Sequence, residues 1–258
     1  MKLTFLGTGT SFGVPQIGCR CAVCRSDDPR DRRTRTGAVV ETDGGTRLLI
    51  DTPPELRLQL VAAGISDLDA VLYTHDHADH VHGLDDLRAI SVHRRGGLPF
   101  YGPPDTLARL ARRFPYIFDD NMRPLPGTTK PEGRLHPLRE GVVEQIGDAR
   151  VTPVSIPHGE VKVYAYRIGP LAYVTDAKSV PEAALKLLVG ARVLVLNALF
   201  RTEHPTHLSI PEAIDTAGLV GAERTYLTHL THDNRHSDLA ASLPPGIMPA
   251  FDGLVVDV

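Results

Sequence analysis

Seven residues, Thr74-His-Asp-His-Ala-Asp-His80, constrain what this chain can become more than any other stretch. They follow directly on the apolar run Ala70 to Tyr73, so a strand ends by presenting three imidazoles and two carboxylates together. A helical placement does not suit the spacing, because the zincin pattern needs His-Glu-x-x-His and this sequence reads His77-Ala-Asp-His80. An extended turn suits it better. Alternation sends His75 and His77 to one side, and Asp79 and His80 come round to the other as a helix begins near Gly83. Two ligand pairs imply two metals. A lone histidine beside an apolar strand is more often a hydrogen-bonded residue than a ligand. A cluster of this density is different, since like charges and unpaired donors would stay uncompensated unless a cation sat among them.

Thr-His-x-His-x-Asp-His behind a hydrophobic strand resembles the signature of the metallo-β-lactamase fold, a superfamily of dinuclear metallohydrolases. The resemblance implies an α/β chain folded as a four-layer αβ/βα sandwich, one domain over residues 1–258. It leaves the substrate open, because that centre is used on lactams, thioesters, phosphodiesters and RNA.

All three cysteines, Cys19, Cys21 and Cys24, fall within six residues and cannot build a disulfide framework. Thiols so spaced in a reducing compartment point to zinc, and tetrahedral zinc needs one further ligand from far along the chain. The candidate is His232 in Thr228-His-Leu-Thr-His232, since His229 is wanted elsewhere; the alternative is a set of free buried thiols. A Cys-x-Cys-x-x-Cys insert after the first strand with a late His-x-x-His resembles, more narrowly, the PhnP-like cyclic phosphodiesterase branch. In that branch three thiolates and a late histidine hold a structural zinc. Carried over, the ligands are Cys19, Cys21, Cys24 and His232, with a zinc-knuckle insert at about 18–26.

The 258 residues are 42% hydrophobic, enough for a substantial core. A net charge of −3 and a pI near 6.4 argue against a general nucleic-acid or membrane-surface binder. Met1-Lys-Leu-Thr-Phe runs straight into a strand without an apolar leader, and no stretch reaches about 18 consecutive apolar residues. A cytoplasmic protein is expected. The first strand, Lys2 to Leu6, ends at Gly7-Thr-Gly-Thr-Ser, which has neither Walker nor Gly-x-Gly-x-x-Gly spacing and reads as a turn. Asp43-Gly-Gly45 joins strands at Ala38 to Glu41 and Thr46 to Ile50. Capping-box patterns open helices at Thr52-Pro-Pro-Glu55, Ser179-Val-Pro-Glu182 and Ser209-Ile-Pro-Glu212. The arginine-rich stretch Asp27 to Thr36 reads as a solvated loop, one arginine of which could meet substrate phosphate. The segment Phe114 to Gly147 and the surroundings of Phe12, Arg94 and Arg95 are expected to shape the pocket. No internal repeat is visible.

In the second half, short apolar strands end repeatedly at a potential ligand: Val151 to Ile156 at His158, Leu171 to Val174 at Asp176, Thr225 to Leu227 at His229. Strands of one sheet can bring such ends to a common edge, and their order matches the superfamily. The resemblance therefore implies one metal on His75, His77 and His158, another on Asp79, His80 and His229, and Asp176 bridging both. Zinc, manganese or iron suits such ligands. Two cations about 3.5 to 4 Å apart would hold a hydroxide for in-line attack on a phosphoryl group. The departing alkoxide needs a proton. His207, in His204-Pro-Thr-His207 just before a helix start, is the candidate donor, and Asp79 stands with it among the catalytic residues. His82, His93, His136, His204 and His236 keep a structural reading. The expected function is a dinuclear-metal phosphodiesterase acting on a small or cyclic phosphodiester, without membrane or nucleic-acid partners; a homodimer is left open. The alternatives are an RNA 3′-end processing nuclease, disfavoured by the acidic charge and the lack of a basic arm, and a non-catalytic metal-binding regulator, disfavoured by the complete ligand set.

Overall fold

Period-two alternation within the strands gives each sheet two apolar faces, and both are covered. A computed structural model describes residues 1–94 and 96–258; Arg95, expected to shape the pocket, lies outside the described residues. The first sheet contains β1 (Lys2–Gly7), β2 (Gly37–Glu41), β3 (Arg47–Ile50), β4 (Ala70–Leu72), β5 (Leu98–Gly102), β6 (Gly133–Pro137) and β14 (Val255–Asp257), in the order β14-β1-β2-β3-β4-β5-β6. The second contains β7 (Glu144–Ile146), β8 (Ala149–His158), β9 (Val161–Ile168), β10 (Leu171–Val174), β11 (Val193–Asn197), β12 (Arg224–Thr228) and β13 (Ile247–Pro249), in the order β13-β12-β11-β10-β9-β8-β7.

In β3, Leu48 and Ile50 face the second sheet while Leu49 faces helices. The same alternation packs Phe5, Val40 and Leu72 against Val151, Tyr173 and Val195 between the sheets. Outside the first sheet lie α1 (Leu56–Ala62), α3 (Arg88–Arg94) and α4 (Pro104–Arg113), which bury Leu60, Ile90 and Leu107 on Val39 and Val71. Outside the second lie α6 (Glu182–Leu188), α7 (Ile210–Val220) and α8 (His236–Ser242), with Leu188, Ala213 and Leu239 on Ala172 and Leu194. The result is the α/β four-layer sandwich of the metallo-β-lactamase fold. Each large side chain so buried stabilises it by about 1.5–3 kcal/mol.

Of the three capping boxes, the one at α7 forms: the Glu212 N–H donates to Ser209 Oγ and the Ser209 N–H to Glu212 Oε2. Thr52 caps nothing, because its hydroxyl is taken by Tyr73 Oη (2.9 Å) and the Val81 carbonyl (3.2 Å), and α1 starts three residues after Pro53. Ser179 also stays outside its helix, since an extended Pro181 occupies the cap position of α6. The solvated reading of the arginine stretch fails at Arg33. Its side chain is buried, donating to the carbonyls of Thr231 (3.1 Å) and Asn234 (2.7 Å) and pairing with Asp31.

Candidate metal centre

Beyond β4, Tyr73 and Thr74 stay buried and deliver His75 at the sheet edge. A one-turn helix, α2 (Ala78–Val81), follows at once, five residues before the expected start at Gly83. It brings His80 back beside His75, with ring centroids 4.2 Å apart, and sets Asp79 Oδ2 3.6 Å from His80 Nε2. From the second sheet come His158 at the end of β8, Asp176 two residues past β10 and His229 one residue past β12. Three overlapping groups result: His75, His77, His158 and Asp176; Asp79, His80 and His229; and Asp176, His207 and His229, with the donor atoms of each within 4.8 Å of one another.

Asp176 stands between them. Its Oδ1 lies 3.5 Å from His80 Nε2 and 3.6 Å from His229 Nε2, while its Oδ2 lies 3.8 Å from His75 Nε2 and 3.3 Å from His207 Nε2. Most of these separations are too long for hydrogen bonds. They match the spacing of two ligands each about 2.1 Å from a shared cation, which for a tetrahedral ion is about 3.4 Å. His75 Nε2, His80 Nε2 and His229 Nε2 are also buried without a hydrogen-bond partner among the described residues. Buried polar nitrogens left unpaired are costly, and cations in these two cradles would satisfy them, so the donor set fits a pair of metal ions.

Behind the imidazoles is a carboxylate that sequence reasoning passed over. Asp51, fully buried past the end of β3, accepts from the Thr74 N–H (2.8 Å), the Thr74 hydroxyl (2.8 Å) and His80 Nδ1 (2.7 Å). Because Thr74 Oγ1 donates to Asp51, it accepts from His75 Nδ1 at 3.0 Å. One carboxylate thereby fixes the Nδ1–H tautomer of two imidazoles and leaves both Nε2 atoms facing the cluster. His158 is oriented likewise, its Nδ1–H donating to the Thr206 carbonyl (2.9 Å). Asp76, one of the two carboxylates in the seven-residue motif, turns outward to Arg109 and Arg113 on α4, each at 2.8 Å.

Charge follows from these neighbours. Burial opposes the charge on His80, yet the carboxylates of Asp176, Asp51 and Asp79 hold it well above the ordinary imidazole value. Burial with His80 alongside takes His75 well below it, and burial takes His229 down to about 4. Asp176 is held well below the usual carboxylate range; burial pushes it up, but His229 and His80 outweigh that. His207, half-buried, has Nδ1 2.8 Å from Thr206 Oγ1, and its ring stands 4.7 and 4.8 Å from those of His158 and His229.

The second cluster gathers the cysteines. The sulfurs of Cys19, Cys21 and Cys24 lie 3.2, 3.6 and 3.6 Å from His232 Nδ1. A tetrahedral zinc with ordinary Zn–S and Zn–N bonds would set them about 3.6 Å away. The Cys24 N–H lowers the Cys21 thiol to about 6, while burial pushes Cys24 up to about 11. These four residues suit a thiolate-bound zinc.

Fold and donor set together define a metallohydrolase of the metallo-β-lactamase superfamily, and residues 46–230 match the model of the beta-lactamase superfamily domain, the family to which this chain belongs. The crystal structure of a diphosphatase from the PhnP family is similar over 99% of this chain and 96% of that one, with a TM-score of 0.90 and 41% identity. An octanoyltransferase of Porphyromonas gingivalis is 43% identical over 98% of this chain; the chain spans about half of that relative, 51%. Zinc-bound PqqB from Methylobacterium extorquens shares the fold over the full length of both chains, at 22% identity and a TM-score of 0.78. Among the described residues no helix is long and apolar enough to cross a membrane.

Proposed function

We propose that this chain is a dinuclear-metal-dependent phosphodiesterase acting on small or cyclic phosphodiesters. The observation that carries the reading is Asp176, whose two oxygens face two separate sets of imidazoles. His75, His77, His158 and Asp176 would hold one ion, and Asp79, His80, His229 and Asp176 the other. Such a pair supplies an ionised water at neutral pH and a positive clamp for phosphoryl oxygens, and zinc, manganese or iron all suit these donors. The chain's own groups do the rest. Asp51 and Thr74 hold His75 and His80 in one tautomer. His207, tethered by the Thr206 hydroxyl, presents Nε2 beside Asp176 and hands a proton to the departing alkoxide. Cys19, Cys21, Cys24 and His232 hold a structural zinc, and three thiols with no disulfide between them fit a reducing compartment such as the cytoplasm.

The likeness to a diphosphatase supports reaction at phosphorus over reaction at an acyl carbon. Octanoyl transfer is not carried over, because about half of that relative lies outside the likeness and the three thiols here converge on His232. Metal-loaded protein should hydrolyse bis-p-nitrophenyl phosphate or a member of a cyclic phosphate panel; inertness towards all of them at full metal occupancy would overturn the proposal. His207→Ala should cut turnover about 10²- to 10⁴-fold with metal content intact. Lost metal would instead make His207 a ligand.

A further inference from the structure

We infer a subsite for a planar heteroaromatic ring, such as a nucleobase, in the cavity of about 190 Å³ between Phe12 and Phe200; this deepens the phosphodiesterase reading and rests on it. Phe12 is 67% exposed, and a single exposed phenyl is ordinary. Two features set this one apart. The turn that carries it is pinned: the Gly13 N–H donates to the Thr10 carbonyl, the Phe12 N–H to the Thr10 hydroxyl, and Val14 exchanges two backbone hydrogen bonds with Arg33, itself buried. The ring also forms one wall of a cavity whose other walls are Phe200, Gln16, Thr231 and His232.

That cavity lies against the cysteine cluster, of which His232 is a member, and a run of rings links it to the histidine and aspartate cluster. Thr231 and His232 follow His229 by two and three residues. The Phe200 ring stands 5.8 Å from that of His204, which stands 5.4 Å from that of His207. A substituent on the oxygen that His207 protonates would therefore extend towards Phe200 and the cavity it lines with Phe12. The lining selects a flat ring with polar edges. Phenyl faces stack on a planar ring, while the Gln16 side-chain amide, which makes no hydrogen bond among the described residues, and the Thr10 hydroxyl can meet its edge. An alkyl chain would leave those polar groups without partners, and the volume suits one ring system rather than a run of nucleotides.

The test uses the full metal-loaded chain and begins with binding. By calorimetry AMP should bind about tenfold more tightly than ribose 5-phosphate, and Phe12→Ala and Phe200→Ala should each remove most of that gap while Phe12→Trp keeps it. In kinetics, the preference for adenosine 2′,3′-cyclic phosphate, whose departing alkoxide carries the base, over ethylene phosphate, whose departing alkoxide carries none, should fall about tenfold in the alanine variants. Equal binding of AMP and ribose 5-phosphate by the unaltered chain, or a gap that survives both alanine changes, overturns the subsite. So does octyl phosphate displacing AMP in a Phe12-dependent manner, which would assign the cavity to alkyl chains. Turnover of both diesters without an AMP preference sinks the subsite alone. A Phe12-dependent AMP preference without turnover of any diester sinks the catalytic reading and leaves the subsite standing.

Discussion

Counted from its antiparallel edge, each sheet runs through three antiparallel pairings and then three parallel ones, so β3 in the first and β10 in the second hold equivalent places. Each is followed by an aspartate in the left-handed region, Asp51 at φ 61° and Asp176 at φ 56°. With His229 at φ 58° after β12, these are the non-glycine residues of positive φ among the described residues. A side chain held there costs of order 1–3 kcal/mol, and the strain is concentrated at the edge where the ligands meet. The same turn in two halves puts a carboxylate to different use. Asp176 stands among the imidazoles and is depressed by them, whereas Asp51 stands behind them, is raised by burial, and acts by accepting hydrogen bonds. What separates the two is the neighbours each half supplies.

The largest effect expected from breaking that pair is Asp176→Asn. It keeps the volume but removes the charge that faces both sets of imidazoles, so metal content should fall at both positions. Turnover should drop well beyond the roughly 10- to 100-fold typical of groups outside the ligand shell. Asp51→Asn, by contrast, should stay within about 10- to 100-fold, through weaker metal affinity rather than an absent site. Metal titration of the two variants side by side decides it: if Asp51→Asn costs as much as Asp176→Asn, the front and back assignment is wrong.

The halves are also tied directly. Cys19, Cys21 and Cys24 precede β2, His232 follows β12, and the buried Arg33 makes the same crossing to Thr231 and Asn234. Cys21→Ser should cost more in cohesion than in chemistry. A loss of about 2 kcal/mol would lower the melting temperature by roughly 4 to 8 °C, with one zinc fewer per chain and turnover per loaded centre changed much less. An unchanged melting temperature with that zinc still bound would remove the structural role.

Legibility in the sequence followed the physics of each residue. His75, His77, His80, His158, Asp176 and His229 could be read because ligand-type side chains end apolar strands, and His232 because three thiols leave a tetrahedral ion one ligand short. Asp51 ends a strand too, but nothing beside it in the sequence marks a site, and its partner His80 is 29 residues on. Arg33 sits in a run of arginines that reads as solvated; the carbonyls that bury it lie 198 and 201 residues away. Asp76 shared a motif with true cluster members, and α4 alone reveals that it faces elsewhere. The repeat of the two sheets left no trace in residue type, because strand pairing is a long-range choice and many apolar sequences satisfy it.

At the other end of β3 from Asp51, the smallest expected effect tests how far the halves depend on contacts remote from the metals. Asp148, in the β7–β8 turn, accepts from the Thr42 hydroxyl (2.6 Å) and the Gly44 N–H (2.9 Å) of the β2–β3 turn. A Cβ at Gly44 would stand 2.4 Å from Asp148 Oδ2, so the two turns meet closely. The Thr42 hydroxyl, with help from Thr46, lowers the carboxyl to about 2. A carboxyl depressed on folding contributes stability that is present above its unfolded value of about 3.9 and is lost as pH falls through about 2. Asp148→Asn should therefore lower the urea midpoint slightly at pH 7, the group being exposed, and the gap to the unaltered chain should close as pH falls from 5 towards 2. A gap that stays constant over that range would mean that the tie does not depend on the charge of Asp148, and that the two turns are held by shape alone.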